Sequence, residues 1–328
     1  KFGRDWLSYR GYRTGPNPGA FLVDIFPILK YVPSWIPGAD FQRKAAFWRK
    51  SVLEMRDAPF ETVTKARKFG ISTSSFASNL LADLELRRDL DEVALSKELE
   101  TIRNCAGLAY AGTCDIAGTE SIASSLSSFM LAMMLYPEVQ EKARQELDAV
   151  VGLERLPDFS DRGTLPYIDA VVKEVFRWNP VAPLGLPHMT TKDDEFKGYH
   201  IPAGTLVLGN SWTILHDPVT YPDPMTFNPD RFLRNDLAVV DPVSVAFGYG
   251  RRICPGRFMA ESQLWISIAC ILSAFEIRPE NDERGKPIVP KAAFSSGFIC
   301  HPLPYKTSIK ARSTGSKFLI EQTTDLSA

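Results

Sequence analysis

Net charge is almost absent from this 328-residue chain: 38 Lys and Arg face 39 Asp and Glu, leaving −1 at neutral pH. A nucleic-acid partner held through its phosphates needs a cationic excess, so that class is disfavoured. Cys-x-x-Cys pairs are lacking too. The five cysteines (105, 114, 254, 270 and 300) are odd in number and scattered, which excludes a disulfide framework and reads as reduced thiols facing the cytosol. Only four histidines occur, with no His-Glu-x-x-His or other zinc spacing. No apolar run is long enough to span a bilayer, and no signal-peptide pattern opens the chain. An initiator methionine is lacking as well: the sequence opens at Lys1, as expected of a fragment or a processed form.

What the chain has is apolar mass. Apolar residues make up 45%, enough for a sizeable core and too many for wholesale disorder. The length suits one large domain or two ordinary ones. Residues 1–17 are polar and glycine-punctuated, and no element is assigned to them. The stretch 20–35 is apolar but broken by Pro27 and Pro33, with Pro37 close behind, which excludes one long helix. It reads as two short helical pieces that touch a membrane or cover a pocket, or as a simple core segment. Residues 40–69 follow as an amphipathic helix pair split near Pro59; the basic face is solvated or rests on an anionic membrane.

From 96 to 135 runs the longest helical pattern, about 40 residues or about 60 Å at ~1.5 Å per residue, long enough to cross a whole domain. Asp115 and Glu120 argue against a membrane span there. Its centre, Ala117-Gly118-Thr119-Glu120-Ser121, is a poor helix interior, which points either to a site or to close helix packing at Gly118. Residues 137–151 form a charged helix with Pro137 at its start and Gly152 past its end. Another helix, 165–178, is stopped by Asn179-Pro180, and its Glu174 and Arg177 are three apart on one face. Residues 188–208 read as short strands with turns at Lys197-Gly198 and Pro202-Ala203-Gly204. The polar stretch 313–328 is expected to be a frayed tail.

Chemistry concentrates in residues 247–256, Phe-Gly-Tyr-Gly-Arg-Arg-Ile-Cys-Pro-Gly, followed at once by a helix over 258–275. Gly248, Gly250 and Gly256 permit backbone conformations barred to other residues and the close approach of a flat group. Cys254 stands among Arg251, Arg252 and Arg257 just before a helix N-terminus. Both features favour thiolate, the form an iron ligand requires. A buried structural cysteine is the bland alternative. A dinucleotide-binding turn is the other, and it fails: Ile253 occupies the place of its third glycine, and no strand–turn–helix unit with an acidic residue follows.

Taken together, Phe247, Gly250, Arg252, Cys254 and Gly256 resemble the haem-thiolate loop of the cytochrome P-450 monooxygenases. The resemblance implies that Phe247 packs beside the sulfur, Arg252 meets a haem propionate and Cys254 is the axial ligand of the iron in haem b (iron protoporphyrin IX). Other motifs stand in the family's order. Ala117, Gly118, Glu120 and Ser121 match its oxygen-activating distal helix, with Glu and Ser for the commoner Asp and Thr. Ala111-Gly112-Thr113-Cys114-Asp115 is a second, poorer register of the same motif, with Ile116 at the hydroxyl position. Glu174 and Arg177 match the Glu-x-x-Arg helix, and Arg231 in Phe227-Asn228-Pro229-Asp230-Arg231-Phe232 matches its later partner; this trio is structural and locks the meander beneath the haem loop. His188 falls where relatives hold a propionate, although a solvated or capping histidine is the competing reading. Leu184 and Leu186, with Gly297 and Phe298 near the end, match segments that line the substrate pocket. Residues 178–183 and 215–218 are similar to the fungal multi-purpose branch that includes relatives of O-methylsterigmatocystin oxidoreductase.

The resemblance therefore implies a mainly α fold with small β-sheets, a catalytic domain over 1–312 and a tail over 313–328. The implied activity inserts one oxygen atom of O2 into an apolar small molecule. Glu120 and Ser121 would supply protons, and electrons would come from an NADPH–cytochrome P-450 reductase docking on the cysteine side. The expected protein is a monomer with peripheral membrane contact at the cytosolic face of the endoplasmic reticulum. The family's anchor, first sheet strands, propionate-binding helix and substrate-covering loop have no counterpart in the sequence, so weak haem binding, or none, is expected of the chain as given. Three alternatives share the cysteine loop. A peroxide-using or rearranging haem-thiolate enzyme would need no reductase, a haem sensor would not need Glu120 and Ser121, and an inactive truncated product would hold no haem.

Overall fold

The computed structural model describes residues 22–325, except 72, 88, 111–117 and 234–238. Two compact units divide the chain, residues 1–119 and 120–328.

The first unit is helical. Helix α1 (Leu22–Ile25) and a 3-10 turn (Pro27–Tyr31) match the two short pieces expected of the proline-broken stretch. Helix α2 (Asp40–Lys68) corrects one expectation: it runs unbroken through Pro59. A proline removes one backbone hydrogen bond and crowds the preceding turn. Here Phe60, beside it, is buried with Leu81, Leu84 and Ile102 from helices α3 (Phe76–Leu86) and α4 (Glu92–Tyr110), and that packing holds the helix through the missing bond. Gly107 of α4 makes the approach of α2 possible, because a Cβ there would lie 2.7 Å from the Arg56 Cα.

The second unit begins two residues into α5 (Gly118–Leu135) and continues with α6 (Pro137–Val150); the two helices meet at Tyr136 with a bend of 105°. The pattern over 96–135 is thus a helix on either side of residues 111–117, which lie outside the described residues. No single helix among the described residues is long and apolar enough to cross a membrane. Helix α7 (Pro166–Trp178) starts where expected, and the Glu146 carboxylate caps it by accepting from the Tyr167 and Ile168 amides at 2.8–3.0 Å. Burial pushes that carboxyl up from its ordinary value.

Among the described residues, three two-stranded antiparallel sheets complete the unit. Strand β1 (His188–Met189) pairs with β4 (Leu206–Val207), and β2 (Asp194–Phe196) with β3 (Tyr199–Ile201). Strand β5 (Phe275–Pro279) pairs with β6 (Thr307–Ala311) in the register Ile277 to Ile309. Short helices α8 (Ser211–Leu215) and α9 (Val243–Ala246) precede α10 (Arg257–Ala274). The core lies among α5, α6, α7 and α10, with Phe129, Leu131, Ile168, Trp265 and Ile268 fully buried. Gln140 sews α6 to the edge of β5: its amide donates to Ile277 O and accepts from Ile277 N, at 3.0 and 2.9 Å.

The chain end corrects a second expectation. Residues Thr314–Asp325 form helix α11 instead of a frayed tail. Ser313 Oγ accepts from the Ser316 amide at 3.0 Å as an N-cap, and Ser316 is buried. Just before it, Arg312 donates to both Asp148 carboxylate oxygens and to the Leu272 and Ser273 carbonyls at the end of α10. A cation there also opposes the partial negative charge of that helix terminus.

Candidate active site

The cysteine loop leaves α9 at Phe247 and ends at Gly256, which caps α10. Gly248 and Gly250 have φ of +82° and +61°, conformations that side chains disfavour. Cys254 N donates to Phe247 O at 2.8 Å, closing the loop so that the sulfur is carried on its exposed rim. Phe247 turns inward and meets Phe176 of α7 edge-on, ring centres 5.1 Å apart. Arg251 and Arg252 are exposed beside the thiol, and the Arg257 guanidinium lies over the Phe258 ring at 4.4 Å.

The structure also brings Glu174, Arg177 and Arg231 into one buried network. Arg177 donates from Nε and Nη2 to the two Glu174 oxygens at 2.7 and 2.8 Å, and both side chains are 0% exposed. Its remaining N–H groups reach the carbonyls of Leu215, Pro224 and Thr226. Arg231 Nε approaches the same carboxylate at 3.3 Å, and the Asn228 amide donates to it at 2.7 Å. Burial is the main force pushing the Arg231 guanidinium down from its ordinary value, and the attraction of Glu174 opposes it. One carboxylate thus gathers a helix and a meander, and the spare donors of its arginines hold the meander backbone.

Gly118 opens α5, and Glu120 and Ser121 are half-buried in its first turn. Ala117 lies outside the described residues. One turn on, Ser124 Oγ donates to Cys300 O at 2.5 Å, and Tyr305 donates from its hydroxyl to Ser127 O. These bonds seat the 294–302 turn, which carries Gly297 and Phe298, against α5. Cys300 N then donates to Val181 O, and Trp212 N to Pro183 O. The segment bearing Leu184 and Leu186 is therefore held between that turn and α8. Ser211 at the start of α8 lies 2.9 Å from the Tyr249 hydroxyl in the cysteine loop. Bonded contacts thus lead step by step from the distal helix to the cysteine loop.

Other expected residues are not joined. His188 and Arg252 stand exposed on separate elements, with no hydrogen bond between them among the described residues. Leu184 and Leu186 are exposed, the latter by 63%. Sequence reasoning misses the contact of Tyr249 with Ser211, and Gly209, where a Cβ would lie 2.5 Å from the Tyr249 ring. The isolated glycine before Asn210-Ser211 is the one local signal for that close approach. It also misses His301, whose Nε2 lies 3.5 Å from Glu120 Oε1.

With this geometry in place, comparison with known proteins is specific. The family model described as cytochrome P450 matches residues 18–309. A cytochrome P450 monooxygenase of Armillaria gallica is 47% identical over 305 residues, 93% of this chain and 58% of the relative. The monooxygenase COX2 of Coprinopsis cinerea is 44% identical over 96% of this chain and 59% of its own length. A tryptamine 4-monooxygenase of Psilocybe cyanescens is 42% identical over 92% and 58%. The chain spans somewhat under three-fifths of the length of these relatives.

Proposed function

The chain belongs to the cytochrome P450 family, and from that membership we propose that it acts as a haem-thiolate monooxygenase on an apolar small molecule. The single observation that carries the reading is Cys254: an exposed thiol on a glycine-shaped loop, backed by a wholly buried Glu174–Arg177 pair. The residues present suit a haem. A soft sulfur donor stands at the rim, Arg252 offers a cation to a carboxylate, and a Cβ built on Gly248 or Gly250 meets nothing within 4 Å.

In this proposal Cys254 Sγ would hold the iron, while Arg252 and His188 would meet the propionates. Phe247, packed edge-on against Phe176, would shield one side of the sulfur. Bound haem supplies the activation of O2 and the oxidation of substrate. The protein's own contribution is proton supply and substrate pose. Glu120 and Ser121 Oγ would relay protons toward the site, and the neighbouring Leu184, Leu186 and Phe298 would offer apolar surface to the substrate. Electrons would come from an NADPH-dependent reductase docking beside Arg251 and Arg257. A site at the cytosolic face of the endoplasmic reticulum is inferred from the family.

The test is the reduced carbon-monoxide difference spectrum, followed by NADPH-dependent turnover. Cys254→Ser should abolish the absorption band of thiolate ligation, because a serine hydroxyl is not the same soft anionic donor. A band that persists in the variant would assign the ligand to another cysteine and overturn the reading.

A further inference from the structure

Glu120 has a partner that the family motif does not include. His301 Nε2 lies 3.5 Å from Glu120 Oε1, with the two side chains 35% and 39% exposed. An ordinary pair of that exposure contributes little, because two side chains must be ordered in high dielectric to form it. Here most of the ordering is already in place. Ser124 and Glu120 are one helical turn apart on the same face of α5, and Ser124 Oγ binds the carbonyl of Cys300, the residue before His301. His301 itself donates its amide to Ser295 Oγ at 3.0 Å, and its carbonyl accepts from Ser295 N at 2.7 Å. Both backbone groups of His301 are thus engaged, and the turn that carries it is tied to the helix that carries Glu120.

We propose that His301 is a positioning residue for Glu120, holding the carboxylate in one orientation beside Ser121 so that proton delivery follows one route. The proposal rests on the monooxygenase reading above. Without His301 the glutamate at the mouth of α5 would be free to turn toward solvent. Protons would then arrive from bulk water without order, and reducing equivalents would be lost as hydrogen peroxide.

Two measurements on the full, haem-loaded chain test this. In the first, histidine-labelled protein is observed by NMR as its reduced carbon-monoxide complex, which is diamagnetic. The imidazole signals of His301, identified by their loss in His301→Gln, should move in Glu120→Gln, while those of His188, His200 and His216 stay. In the second, product formed per NADPH consumed should fall in His301→Leu on the order of tenfold, less than the roughly 100-fold or more lost with a positioned proton donor itself. His301→Gln, which keeps an N–H donor, should recover most of that loss. In a Glu120→Gln background His301→Leu should change nothing further.

Unmoved His301 signals would overturn the proposal. So would an unchanged product ratio in His301→Leu, or an equal loss in both backgrounds. A haem-loaded chain that never yields the carbon-monoxide band would overturn the monooxygenase reading and this role with it, whereas a normal band with unmoved signals would overturn the role alone.

Discussion

Ser121 carries the chemical hypothesis at the scale of one residue. Removing a positioned proton donor commonly costs roughly 100- to 10,000-fold in a proton-transfer step. Ser121→Ala should therefore leave substrate binding nearly intact while diverting NADPH into hydrogen peroxide, read as the ratio of product to NADPH. An unchanged ratio would remove Ser121 from the mechanism. His216 makes a different kind of prediction. Its ring stacks on Trp212 at 3.7 Å, Nδ1 is 2.9 Å from Trp212 O, and burial pushes the imidazole down from its ordinary value. The folded protein then binds the proton less readily than the unfolded chain, which takes it up near pH ~6.5. Stability from this residue is present above that pH and is lost as pH falls toward the lower folded value. His216→Phe, which keeps a ring on Trp212, should flatten the fall of melting temperature as pH drops below about 6.5. Parallel curves would dissociate His216 from the acid response.

Element boundaries are the part most legible from sequence, and for identifiable reasons. Pro137 and Pro166 open α6 and α7, where a missing N–H costs nothing, and Gly152, at φ +84°, follows the end of α6. Pro59 misleads because local chemistry predicts a break that tertiary packing overrides. The Ser313 cap is short and polar, so α11 looks like an end with nothing to bury until Ser316 is seen packed. Gly107 makes the same point. Nothing nearby in sequence marks it, yet a Cβ would press on the Arg56 backbone at 2.7 and 2.9 Å. Overpacking of this kind costs about 1–3 kcal/mol, against a gain of about 1 kcal/mol in helix propensity over glycine. Gly107→Ala should thus be destabilising, with faster amide exchange in α2 and α4. A melting temperature at or above wild type would show that the two helices can part at no cost.

For the molecule as a whole, the cysteine loop and the Glu-x-x-Arg pair are readable because each is contiguous within ten residues or fewer. The Glu120–His301 and Ser124–Cys300 contacts are not, since no spacing rule relates positions so far apart. The buried network is the support on which the second unit depends. Glu174→Ala would leave the Arg177 and Arg231 cations buried without their shared carboxylate. Breaking such a group costs about 3–5 kcal/mol, a large part of the ~5–15 kcal/mol that stabilises a typical protein. The variant should melt far below wild type and retain little haem. Normal melting and haem content would reduce the network to a packing detail.

That network also sets an order of events in time. Arg177 follows Glu174 by three residues, but Arg231 follows it by 57. At roughly 5–20 residues per second of synthesis, the pair waits about 3–11 s for its third member. During that wait the meander carbonyls that Arg177 will bind are also still to be made, so water is the partner available to its spare N–H groups. Cys254 comes only 23 residues after Arg231, about 1–5 s later at the same speed. The nascent chain thus delivers the thiol after the last charge of its platform, with α10, β5, β6 and α11 still to be made.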